Sequence, residues 1–199
     1  MLPANWFVGL VVPPDGWFDD LPPVPSGTRY FHREDLHVNL SFLGAVEEED
    51  AMRAWELCKK LSGGPFEFPL GVVDPVGNAR QPSAWAVMPD KPLLDLNEFL
   101  AMYRNDIAQA ARARPDMLPP RPNITIARPK RYARVDERSR LAQWAERIEL
   151  PEKTLTLSEV ALYTWSDADD DHLFRIVDRF TLGPYDPDLW PKRYKLRYL

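Results

Sequence analysis

One stretch of the chain alternates apolar and polar residues more regularly than any other: Leu36-His37-Val38-Asn39-Leu40-Ser41-Phe42-Leu43-Gly44. A strand sends successive side chains to opposite faces, so the pattern predicts a strand over 36–43 with Leu36, Val38, Leu40 and Phe42 turned to a core. His37, Asn39 and Ser41 then share the other face. Three hydrogen-bonding side chains on a strand anchored from behind make a rigid place for chemistry. A second stretch, Pro122-Asn123-Ile124-Thr125-Ile126-Ala127-Arg128, repeats the arrangement over 122–128, with Asn123 and Thr125 in a polar row backed by Ile124 and Ile126. Two such rows facing each other would line a cleft.

The remaining elements follow from the same periodicities. Trp6 to Val12 reads as a buried strand stopped by Pro13-Pro14-Asp15-Gly16, and the proline-rich passage 21–27 reads as a loop. Acidic residues Glu47 to Asp50 open a helix extending to about Leu61, where negative charge suits the positive end of the helix dipole. Strands are expected over 66–73 and 83–88, with Asp74-Pro75-Val76-Gly77-Asn78 as the turn between them. Helical spacing runs from Leu93 to about Ala113, placing Leu94, Phe99, Leu100, Tyr103, Ile107 and Ala111 on one broad face until a run of prolines ends it. A further helix over 135–148 precedes strands over 154–163 and 172–182, joined by a polar turn over 166–171.

In this layout the order motif strand, helix, two strands occurs twice, which suggests a duplicated unit and a groove between two lobes. The expected fold class is therefore α+β: a bilobal duplicated fold with two antiparallel sheets lining a central cleft and helices outside. Residues 1–183 form one two-lobed domain, and 184–199, rich in basic and aromatic side chains, form a C-terminal tail packed on the body or touching a partner.

Composition narrows the picture. With 45% apolar residues, seven Trp, seven Tyr and nine Phe the chain is a folded globule, and its net charge of −5 excludes a general polycation that coats nucleic acid. The single cysteine, Cys58, lies in a helical pattern and reads as a buried thiol in a reducing compartment. No stretch reaches the ~20 apolar residues of a membrane span and no signal peptide is evident, so a cytoplasmic monomer without membrane contact is expected. There is no glycine-rich phosphate loop and no cluster with metal-ligand spacing, hence no expected cofactor and no expected metal. Against the acidic whole stands a local basic flank: Arg121, Arg128, Lys130, Arg131 and Arg134 occur with no acidic residue between Met117 and Val135.

The opening strand Trp6-Phe7-Val8-Gly9-Leu10, the two motif strands, Leu162-Tyr163 before Ser166 and the final strand Phe174 to Phe180 together resemble the two-histidine phosphoesterase superfamily. The branch they are most similar to is the bacterial 2'-5' RNA ligase-like proteins, or RNA 2',3'-cyclic phosphodiesterases. The resemblance implies metal-independent acid–base catalysis on RNA ends or nucleotides that carry a 2',3'-cyclic or terminal phosphate. The histidine of one His-x-Thr motif acts as acid and that of the other as base, and the threonines hold the phosphate. Transferred residue by residue, it makes His37 the proton donor and puts Asn123 where the proton acceptor stands. Asn39, Thr125, Arg128, Ser41 and Lys130 are the expected substrate contacts.

This sequence departs from that pattern at two motif positions. Asn39 replaces a threonine, a mild change because an amide still donates to phosphate oxygen. Asn123 replaces a histidine, which is severe because an amide does not take a proton from water near neutral pH, and acid–base catalysis contributes roughly 10² to 10⁴ in rate. Asn5 also stands where many relatives carry Arg. His32 and His172 remain as other imidazoles. Two readings stay open at this point: a phosphoesterase with weakened or altered turnover, and a pseudoenzyme that binds phosphorylated ends without hydrolysing them.

Overall fold

The computed structural model describes residues 5–13, 15–78, 80–166, 172–186 and 188–189. Among the described residues nine strands form one antiparallel sheet: β1 (Trp6–Val11), β2 (Thr28–Tyr30), β3 (His37–Gly44), β4 (Phe66–Asn78), β5 (Gln81–Pro89), β6 (Ile124–Pro129), β7 (Thr154–Leu157), β8 (Glu159–Trp165) and β9 (Phe174–Thr181). Their order is β7-β4-β5-β6-β3-β1-β8-β9, with β2 added at β6. Three α-helices among the described residues, α1 (Glu48–Cys58), α2 (Leu94–Ala110) and α3 (Val135–Ala145), complete the α+β fold.

The two sheets expected from the sequence are thus one continuous path. Its weakest link is in the middle, where β3 and β6 share the single registered pair Val38–Ile124. That register sets His37 across from Thr125 and Asn39 across from Asn123, so the junction of the two motif strands is also where their polar rows meet.

Behind this junction lies one core. Leu36, Val38, Leu40, Ile124 and Ile126 are all buried in it, each contributing roughly 1.5–3 kcal/mol of transfer free energy. Helix α2 supplies Leu96, Phe99, Leu100, Tyr103 and Ile107 at the i, i+3, i+4 spacing of an apolar stripe. Leu94, expected on that stripe, is exposed at the first helical position. Cys58 is fully buried, and burial pushes its thiol pKa up, so it packs as a small apolar side chain.

Three other expectations are corrected. The 74–78 turn is strand: Asp74, Pro75 and Val76 pair with Ala86, Trp85 and Ala84. Proline is tolerated there because β7 covers β4 only from Phe66 to Pro69, leaving that edge free at Pro75. The 154–163 strand is two strands, β7 and β8, which pair with opposite ends of the sheet. The short β2 follows the proline-rich loop at a place where the sequence pattern predicts no element. Of the polar turn 166–171, residues 167–171 lie outside the described residues, as does most of the tail. At the start of the tail, the Ser62 hydroxyl bonds both the backbone N–H and the carbonyl of Asp186.

Candidate active site

The motif strands do not alternate to their ends. Along β3, Val8 of β1 pairs with Ser41 and Gly9 with Asn39, so Leu40 is an extra residue in a bulge. Along β6, Trp85 of β5 pairs with Ala127 and Ala86 with Thr125, so Ile126 is the extra residue of a second bulge. Each bulge turns two successive side chains inward, Leu40 with Ser41 and Ile126 with Ala127. It then returns the next residue to the polar face. Phe42 and Arg128 are those residues, in equivalent places on the two strands.

The consequences for the expected site are direct. Ser41 points into the core, where its hydroxyl donates to the carbonyl of Arg104 on α2 at 2.8 Å, and Phe42 takes its place on the cleft side with 59% of its surface exposed. Arg128 joins Thr125 on the cleft side, which strict alternation forbids. His37, Asn39, Asn123, Thr125, Arg128 and Asn5 all line one cleft of about 600 Å³. Lys130 lies outside that lining, exposed beyond β6, with its backbone N–H donating to Gly27. Of the rest of the basic flank, Arg121 lines a neighbouring hollow and Arg134 pairs with Asp136 and Glu137.

His37 is held on all sides. Phe7, Tyr163 and Phe174 surround its ring at centroid distances of 4.6, 5.3 and 5.6 Å. Its Nδ1–H donates to the Asp35 carbonyl at 2.7 Å, which fixes the tautomer and leaves Nε2 as the nitrogen a ligand can meet. Removal from water lowers its pKa to about 4; the Asp35 bond opposes the shift and the Arg128 charge adds to it. The imidazole is therefore neutral at physiological pH.

Sequence reasoning missed the groups that build this environment. Asp35 is fully buried, and its carboxylate accepts N–H bonds from Leu173 (2.8 Å), Phe174 (3.1 Å) and His32 (3.3 Å). It ties the turn before β3 to the start of β9, and no local pattern announces contacts so distant in sequence. Arg29 was also missed. It faces Arg128 directly across β2 and β6, and the Arg128 guanidinium lies 5.7 Å above the Phe31 ring. Loss of solvent and then Arg29 hold the Arg128 pKa below its ordinary value. Like charges set opposite each other on neighbouring strands are destabilising, so this pair is suited to an anion shared between them. Asn123, by contrast, uses its amide N–H to bond the Arg121 carbonyl at 2.7 Å.

No family model matches the chain, and no curated protein matches it in sequence. Solved structures do. Escherichia coli LigT complexed with 3'-AMP is 19% identical, with a TM-score of 0.63 over 90% of this chain and 98% of that one. The same protein complexed with NADP+ gives 20% identity and a TM-score of 0.64, over 92% and 99%. A Thermus thermophilus protein gives 21% and 0.63, over 91% and 100%. The chain has the LigT fold. The α+β fold expected from the sequence and the architecture found by superposition therefore agree. On this fold the cleft is lined by His37 and Asn39 of β3 and by Asn123 ahead of β6.

Proposed function

We propose that this cleft binds the 2',3'-cyclic or terminal phosphate of RNA ends and nucleotides, and that it hydrolyses the cyclic ester slowly. The observation that carries the reading is the convergence of His37, Thr125 and Arg128 with Arg29 on one cleft of nucleotide size. LigT structures complexed with 3'-AMP, ATP and NADP+ support the ligand class.

Arg29, Arg128, Thr125 and Asn39 hold the phosphate oxygens, and its negative charge offsets the Arg128 field that disfavours imidazolium. Binding thereby raises the His37 pKa, and Nε2 takes up a proton from solvent. Water adds to phosphorus and gives up its proton to solvent, the P–O3' bond breaks, and the departing 3'-oxygen receives the proton held on Nε2, leaving a 2'-phosphate and a neutral His37. Asn123 offers no base to the attacking water, so the step lacks an aid worth roughly 10² to 10⁴ in rate.

Incubation with 2',3'-cyclic nucleotides is expected to yield 2'-phosphate that disappears in His37→Ala. Asn123→His is expected to raise turnover by a factor of the order of 10² or more. A second reading, ligand binding without turnover, is favoured by the commitment of the Asn123 amide to Arg121. If wild type and His37→Ala are equally inert while millimolar nucleotide binds both, that second reading replaces the first. If nothing binds, both fall.

A further inference from the structure

The turn that positions His37 carries a second constellation. His32, Glu34 and His172 each offer a ligand atom, and all three atoms lie within 4.8 Å of one another. The rings of His32 and His172 are 3.9 Å apart between centroids. Their sequence separation explains why no spacing motif showed it: two members precede β3 and the third precedes β9. His172 also lines the phosphate cleft, which places the cluster at its rim.

We infer that His32, Glu34 and His172 bind one divalent transition-metal ion of the zinc class. Two imidazoles and one carboxylate form a ligand set that suits such ions, and three protein ligands leave a coordination position open. The orientation of His172 fits the assignment. Its Nε2 faces Glu34 Oε2 at 3.8 Å, and its Nδ1 faces Asp35 Oδ1 at 3.9 Å. A ligating histidine ordinarily donates its other ring N–H to a carboxylate or carbonyl, which sets its tautomer and aims the metal-binding nitrogen. Asp35 is built for that part, because it is fully buried and already fixed by three backbone N–H groups. The three ligand atoms lie no more than 4.8 Å apart, against about 3.4 Å between donors of a tetrahedral site with bonds of about 2.1 Å, so an inward movement of the exposed Glu34 side chain by about an ångström closes the set.

The ion would fasten the 32–35 turn to the first residues of β9. The same turn supplies the carbonyl that orients His37, and Phe174 of β9 packs on the His37 ring. Metal occupancy would thereby stiffen the imidazole cage. The site is independent of whether the cleft turns over a phosphate ester.

The test uses the full chain, stripped with chelator and titrated with Zn²⁺ alone by calorimetry. One equivalent is expected to bind and, at a hundredfold excess over Kd, to raise the melting temperature by about 5 °C. Glu34→Gln and His172→Gln are each expected to weaken binding tenfold or more. Nitrogen NMR of the wild type provides a readout that does not depend on variants folding: Zn²⁺ is expected to move the ring resonances of His32 and His172 and to leave His37 uncoordinated. Absence of stoichiometric binding, a smaller loss in Glu34→Gln, or metal-dependent shifts confined to other residues overturns the assignment.

Discussion

His37 is uncharged in the folded protein near neutral pH, and under the proposed mechanism it takes up a proton when an anion binds, so its surroundings set the balance between the two. The imidazolium is disfavoured first by loss of solvent and then by Arg128, so the folded pKa is about 4 against 6.5 for the free side chain. The unfolded chain thus binds more protons between those values. Stability contributed by the neutral ring is complete above pH 6.5 and is lost as pH falls toward 4, a loss of about 3 kcal/mol at 1.36 kcal/mol per pKa unit. Denaturant unfolding of wild type and His37→Gln across pH 4 to 7 checks this. Wild type is expected to lose that increment on acidification, whereas the variant keeps a flatter profile in this window. A nucleotide phosphate in the cleft is expected to raise the His37 midpoint in an NMR titration, because its charge opposes that of Arg128. Identical profiles for the two proteins would mean that His37 is solvated and that the aromatic cage does not act on it.

At the scale of elements, function depends on how β1, β3 and β6 are fitted together. Gly9 on β1 lies beneath His37: a methyl group there would sit 3.2 Å from the Val38 carbonyl and 3.4 Å from both Cβ and Cδ2 of His37. Backbone on one side and a caged ring on the other leave little room to yield. Gly9→Ala is expected to destabilise the protein by about 1–3 kcal/mol and to weaken nucleotide binding by displacing the imidazole. Chemical denaturation and calorimetry on the same sample measure both, and a variant with normal stability and affinity would show the junction to be loose. The two motif strands were legible in the sequence because each alternates cleanly through its first half. The bulges were not, since Leu40-Ser41 and Ile126-Ala127 look like ordinary continuations, and what reveals them is the register against β1 and β5. For that reason Ser41 was placed in the cleft and Phe42 in the core, the reverse of what is found. Arg29 and Asp35 were illegible for another reason: their partners lie on β6 and β9, and contacts made only in the folded chain leave no local spacing to read. The long β4–β5 hairpin was cut short because Pro75 and Gly77 are turn residues by type, and only the free edge of β4 makes them acceptable in a strand.

For the whole molecule, a net charge of −5 surrounds a cleft whose two facing guanidiniums belong to Arg29 and Arg128. Long-range attraction to a polyanion is therefore weak, and favourable contact is confined to the place where the cations converge. Beside the main cleft, and sharing Asn39, Phe42 and Asn123 with it, a second hollow of about 250 Å³ is lined by Arg104 and Arg121. Exposed Phe42 stands between the two and offers a ring on which a base can stack. Under the proposed function this geometry suits a short RNA end, with one nucleotide in the main cleft and its neighbour against Phe42. Affinity for 3'-phosphorylated oligonucleotides is accordingly expected to rise about tenfold or more from mononucleotide to dinucleotide, as one stacked base contributes roughly 1–3 kcal/mol. It is then expected to change by less than about threefold up to twenty nucleotides, with a salt dependence matching only one or two phosphates. Fluorescence anisotropy over a length series at two salt concentrations measures this. An affinity that keeps climbing with length, with a salt slope that grows alongside it, would place the binding surface outside the cleft and along the basic flank at Lys130 and Arg131.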